Sequence, residues 1–320
     1  MTISAVSARN NPVLSNIALG VQNELKDFIA GKIFRPIKVE KNTGDILSFG
    51  KDHMRVITDV RKNGSTNYVT VSVSKSEVYK LEWHELSAFI SDDIADQMGS
   101  ESARMNFTEM LMEQLMIARE SGAVVALTTA ANFAAGNKDS NMAWDDYDTS
   151  TPREDFIKAQ EAVKTSCGKY PNKAVIASDV WSYLIQHPQL LTGRQNVGDS
   201  VMTVETMKPI LFPHYAPADC TIEIGQGVYN TANKGATAVM ARVWSDCFVY
   251  MYVNPNPNPK MHQSSMTASF TKGKDAVQVM ITKDRMYLET EEDVTDRWQY
   301  DDVVLDYSCG YLFTDCLSGV

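Results

Sequence analysis

The sequence predicts an α+β fold organised around one long helix. Three observations carry this. A helical pattern runs from Met98 to Ser121. The stretches to either side, residues 36–80 and 260–320, alternate like strands with no helix between them. Residues 152–188 read as helix, strand, helix. At 320 residues and 44% apolar composition, the chain can bury a sizeable core and has the length of two domains.

The net charge is −10, which opposes broad nucleic-acid binding, because neutralising phosphates takes Lys and Arg. No basic stripe with interleaved aromatics occurs. The cysteines (Cys167, Cys220, Cys247, Cys309, Cys316) are five, widely spaced and without a CxxC pair. That pattern predicts neither a disulfide framework nor a zinc site, and points to a reducing, intracellular setting. Neither a signal peptide nor an apolar run of membrane-spanning length is seen.

The opening segment, MTISAVSARNNPVL, has too little apolar surface to fold alone. Ile17, Leu19, Val21, Leu25, Phe28 and Ile29 then give an imperfect apolar face to one short helix. Thr43-Gly44-Asp45 is a turn signal, Tyr68–Ser74 alternates, and Asn63-Gly64 between them is a tight-turn dipeptide. Residues 36–80 therefore predict a long two-stranded hairpin. Such a hairpin is marginal in water on its own and needs a partner. Residues 81–97 predict a short amphipathic segment. His84-Glu85 lacks the second His one helical turn on (position 88 is Ala88), so His84 is expected to pack or hydrogen-bond rather than bind metal.

In the long helix, Ser100 is the expected N-cap, with Glu101 in the first turn. Met105, Leu111, Met112, Leu115, Met116 and Ala118 are the expected stripe, and Gly122 the expected C-terminal stop. Pro152 opens a helix that Gly168 ends, Asn172–Ser178 is a buried strand, and Asp179 begins a helix running to His187-Pro188. Asp145, Asp146 and Asp148 lack the Gly and Glu of a calcium loop and are expected to be a solvated acidic loop. The Gly225–Gly227 pair has Asn230 where a dinucleotide fingerprint needs glycine. Ala238–Val253 is the longest strand-like run and stops in Asn254-Pro255-Asn256-Pro257-Asn258-Pro259. Met266–Phe270, Val277–Ile281, Arg285–Leu288, Arg297–Tyr300, Val303–Asp306 and Tyr311–Leu317 predict an antiparallel group covered by the long helix.

The sequence has no nucleophile elbow, no phosphate loop and no HExxH. Cys247, in an apolar strand, is expected to be buried and inert. No catalytic, cofactor-binding or metal residue is assigned, no cofactor is expected, and the chain reads as not an enzyme. An arm, a hairpin and one long helix are parts that make sense in an assembly.

Their order resembles the major capsid proteins of tailed bacteriophages, with the Hong Kong 97 capsid fold. The resemblance rests on Ala118-Arg119-Glu120 ending the long helix, on PREDFIKAQEAV and KYPNKAVIASDVWSYLIQHPQL, and on IEIGQGVYN followed by VWSDCFVYMYVNPNP. It implies an N-terminal arm over residues 1–39 and an extended hairpin loop over 40–80. It implies a peripheral domain, carrying a spine helix, over 81–135 and 255–320, and an axial domain over 136–254. It also implies hexamers and pentamers of the chain itself, closing an icosahedral head around double-stranded DNA held by confinement without specific binding. A portal, a separate scaffolding protein (the arm starting at Met1) and a decoration protein are the further partners; no membrane is. Assembly is expected in the host cytoplasm, with the virion capsid as destination. Inter-subunit contacts are expected from Arg61, Lys62, Asn63 and Gly64 at the hairpin tip and from Arg9 and Asn10 in the arm. Lys51, Lys62, Lys75 and Lys80 carry no signature of an inter-subunit cross-link. Encapsulin shells share the fold and are the alternative reading; an enzyme with an unrecognised site is the more distant one.

Overall fold

The long helix spans Ser100–Thr128 in the computed structural model, which describes residues 9–49, 54, 56, 73–191, 202–256, 264–272, 277–283 and 292–318. It is longer than the pattern predicts, and both ends differ. Gly99, at φ 80°, sits between it and a preceding helix, Asp92–Met98, so Ser100 is the first helical residue rather than the cap. Gly122 is passed through, because a helical glycine costs only about 1 kcal/mol and Ala123 and Leu127 beyond it are buried. Leu111, Met112, Leu115 and Met116 form the buried stripe together with Ala103 and Thr108, whereas Met105 and Ala118 face outward.

The outer sheet is built on one 13-residue strand, Glu292–Val304. Thr267–Thr271 and Val277–Lys283 pair antiparallel with successive parts of it, and Glu82–Ile90 pairs antiparallel with residues 292–300. Residues 81–97 thus split into a strand and a helix. The chain turns at Ser91, which breaks the apparent amphipathic run. Pro36–Lys38 adds a parallel edge beside 269–271, and Arg9–Asn10 pairs through its backbone with Met280 and Ile281. Asn11 caps the first helix, Pro12–Glu24, accepting hydrogen bonds from the Val13 and Leu14 amides at 3.0 and 3.3 Å. Leu14 and Ala18 of that helix share a core with the spine stripe, Val277, Val279, Val294, Trp298 and Tyr300.

The hairpin is present at its base: Thr43–Phe49 pairs antiparallel with Val73–Lys80, with a bulge between Ile46 and Leu47. Thr43 begins a strand here rather than a turn. The tip, Arg61, Lys62, Asn63 and Gly64, lies outside the described residues, as does Arg285–Leu288.

A second, larger core surrounds a five-stranded mixed sheet. In spatial order its strands are Lys138–Ser140, Gly310–Thr314, Cys247–Met251, Lys173–Ala177 and Thr221–Gly225. The closing strand Gly310–Thr314 therefore joins this axial sheet, in register with Cys247–Met251, and not the outer antiparallel group. Its residues are buried on both faces, which gives the same apolar run in either sheet. The run Ala238–Val253 divides into Met240–Arg242 and Cys247–Met251, because Asp246 takes φ 49° between them. Helix Pro152–Cys167 ends, as read, at a left-handed Gly168, and helix Ser178–Leu184 packs on strands Lys173–Ala177 and Thr221–Gly225.

Candidate functional site

Arg119 and Glu120 stand side by side on the spine helix, 7% and 0% exposed, where the two cores meet. Glu120 accepts the Ile29 amide at 3.0 Å and the Ala30 amide at 2.7 Å, which ties down the arm at the start of the short helix Ala30–Ile33. Its other oxygen accepts the indole N–H of Trp244, from the axial domain. Burial raises the Glu120 carboxyl above the usual range, against the pull of these donors and of Arg119. Arg119 turns the other way. It grips Asp302 of the outer sheet with Nε at 2.7 Å and Nη2 at 2.9 Å, donates to Ser269 at 3.2 Å, and lies against Trp298 and Tyr300. Two adjacent spine residues thereby fasten the arm, the axial domain and the outer sheet to one helix. A cleft of about 310 Å³ opens beside them, lined by Lys26, Phe28, Lys32 and Trp298 among others.

The remaining motif residues are fasteners of the same kind. Asn172 donates to the Val253 carbonyl at 2.8 Å and accepts the Val253 amide at 2.9 Å, which pins the strand before the Asn-Pro stretch. His187 is 1% exposed; its Nδ1 accepts the Gln189 amide at 3.2 Å and its Nε2 meets Ser150 Oγ at 3.0 Å. Gly225 passes under the ring of Trp244, where a side chain has no room.

None of this is arranged as a reactive centre. The thiols of Cys220, Cys247 and Cys316 are buried, and burial pushes the Cys247 thiol up to about 12. Cys167 and Cys309 are joined as a disulfide with Cα atoms 5.0 Å apart, a pairing their 142-residue separation hides in the sequence. His84 stacks on Tyr300, with centroids 4.2 Å apart. Asp145 holds the Ser318 amide and hydroxyl, and Asp146 holds Thr149, so the acidic loop uses its carboxylates locally. Among the described residues, no three His, Cys, Asp or Glu side chains group as metal ligands, and no helix is long and apolar enough to cross a membrane.

Of the predicted contact residues, Arg9 and Asn10 lie in the outer sheet of their own subunit by their backbones. The four at the hairpin tip are not among the described residues. The Ala118-Arg119-Glu120 motif is legible in the sequence, but the partners that make it a node are not. Its signal was two adjacent charges four residues beyond Leu115 and Met116, on the apolar stripe where a solvated charge does not belong.

No family model matches the chain. In sequence it is 26% identical, over 246 residues and 76% of each chain, to the major capsid protein of Burkholderia phage BcepMu. In structure it aligns with a phage-related protein of Bordetella bronchiseptica over 98% of this chain and 100% of that one, at TM-score 0.73 and 20% identity. It aligns less closely with the capsid of cyanophage P-SCSP1u (TM-score 0.52, 11% identity, 88% and 86% covered). The encapsulin of Synechococcus elongatus aligns similarly (0.51, 11%, 89% and 85%). The chain is similar in sequence to a phage major capsid protein and has the Hong Kong 97 fold of phage capsids. In this chain, Ala118-Arg119-Glu120 is where the spine locks to everything else, and the α+β expectation stands, with an outer sheet, an axial sheet and a spine between them.

Proposed function

We propose that the chain is the subunit of a tailed-phage head, joining as hexamers and pentamers into an icosahedral shell around double-stranded DNA. The observation that carries this is the agreement of sequence with a phage major capsid protein over 76% of the chain, together with agreement of fold with a phage-related protein over 98% of it. The phage reading is preferred to the encapsulin one because a sequence relative is a phage protein and a phage-related fold aligns at TM-score 0.73 against 0.51 for the encapsulin. The role is structural, and the buried thiols and fully engaged polar node support it.

In this reading the hairpin of residues 40–80 reaches a neighbouring subunit, with Arg61, Lys62, Asn63 and Gly64 at the contact. Arg9 and Asn10 of the arm contribute further contacts to a neighbour. A separate scaffolding protein guides closure in the host cytoplasm, a portal occupies one vertex, and a decoration protein binds the finished head. DNA is held by confinement, in keeping with the charge of −10. Co-expression with the scaffold of the same phage, followed by electron microscopy, is expected to give closed shells of uniform size. A monodisperse monomer under those conditions would overturn the proposal.

A further inference from the structure

Asp296 lies in the middle of the strand Glu292–Val304 and is 0% exposed. Directly opposite residues of antiparallel strands share a face of the sheet, so the register fixes its surroundings. Val279 stands on one side of it and Leu86 on the other. Along its own strand, the neighbours on that face are Val294 and Trp298, both packed against the spine stripe. Neither carboxylate oxygen has a hydrogen-bond partner among the described residues. Thr108, buried on the spine, also has a hydroxyl without one.

The arginines of the surrounding elements, Arg104, Arg119 and Arg297, are engaged with other side chains. From the spine, Arg119 holds Asp302 and Arg104 pairs with Glu101. From the edge strand, His84 stacks on Tyr300. The first helix offers this core the apolar residues Leu14, Ile17, Ala18, Leu19 and Val21, and the neighbouring strand presents Val277, Val279 and Ile281. Asp302, six residues along the same strand, has an arginine; Asp296 has no such partner among the described residues.

We infer that Asp296 is a proton-controlled latch between the spine helix and the outer sheet. Neutral, it lets the helix lie on an apolar strip; ionised, it loosens that contact. Burial pushes the carboxyl up to about 7, which brings the change near neutrality. Its folded value lies above the unfolded one of about 3.9, so the stability tied to its proton is complete below about pH 4. That stability is lost as pH rises toward 7, by up to about tenfold per pH unit in the unfolding equilibrium. The inference concerns the subunit and does not rest on shell formation.

The test is denaturant unfolding of the full-length free subunit and its Asp296→Asn variant between pH 5 and pH 8. Other buried carboxyls give both proteins a common slope, so the ratio of their unfolding constants is the readout. The wild-type constant is expected to rise by about tenfold or more relative to the variant across that range. A constant ratio overturns the latch. Hydrogen exchange on the wild type alone gives a second reading that stands even if the variant does not fold. After correction for intrinsic rates, protection over residues 103–116 should fall with rising pH while strands Lys173–Ala177 and Cys247–Met251 hold theirs. A uniform change across both regions overturns the latch equally.

Discussion

Glu120 is buried because it accepts three hydrogen bonds that nothing else in its surroundings accepts. Replacing it by alanine orphans the Ile29 and Ala30 amides and the Trp244 indole, at on the order of 1–3 kcal/mol for each buried donor. Glu120→Ala is therefore expected to lower unfolding stability by several kcal/mol in a denaturant titration, and Glu120→Gln, which keeps one acceptor oxygen, by distinctly less. Equal losses would show that the donors find other partners. Gly225→Ala drives a methyl group into the Trp244 ring and is expected to cost about 1–3 kcal/mol in the same assay, through the shift it forces on that ring. At this scale little was legible in advance. The sequence displays Glu120, Trp244 and Ile29, but their meeting spans separations of 91 and 124 residues that no local pattern encodes. His187-Pro188 and Pro171-Asn172 were visible as motifs, whereas their hydrogen bonds were not.

The elements were far more legible, since periodicity and punctuation are local. The strand Lys173–Ala177, the helix Pro152–Cys167 and its stop at Gly168 follow from an apolar run, a proline at the first helical position and a glycine in the left-handed region. The spine differs from its pattern at Met105 and Ala118, which face outward, and at its C-terminal end, where tertiary burial of Ala123 and Leu127 outweighs the glycine at 122. Its core face can be tested by contrast. Leu115, 4% exposed, faces the outer sheet, and Leu115→Asp buries a carboxylate that must stay unpaired or take up a proton. That variant is expected to yield no soluble subunit, while Glu113→Lys, at an exposed position, should melt like wild type by circular dichroism. If Leu115→Asp folds normally, the stripe does not anchor the sheet. For the hairpin, hydrogen exchange across residues 50–75 is expected to be fast in the free subunit and slow in the shell. Equal protection in both would place the hairpin on its own subunit.

At the scale of the whole molecule, the class of fold was readable and the partition of its last strand was not. Gly310–Thr314 is as apolar as an outer-sheet strand, and only its pairing with Cys247–Met251 assigns it to the axial sheet. The charge of −10 leads to one further expectation. A gel-shift assay at physiological salt should show no tight DNA complex; submicromolar binding with a steep salt dependence would contradict retention by confinement. The path of the spine has a mechanical consequence. Ala103, Leu111, Met112, Leu115 and Met116 are embedded in the outer core, Ala123 and Leu127 in the axial core, and Arg119 and Glu120 occupy the turn between. A rod clamped at both ends transmits torque. Neither core can turn relative to the other without twisting or bending the helix, and the strain falls on the single turn from Arg119 to Gly122, where the side-chain clamps on the arm and both sheets resist it.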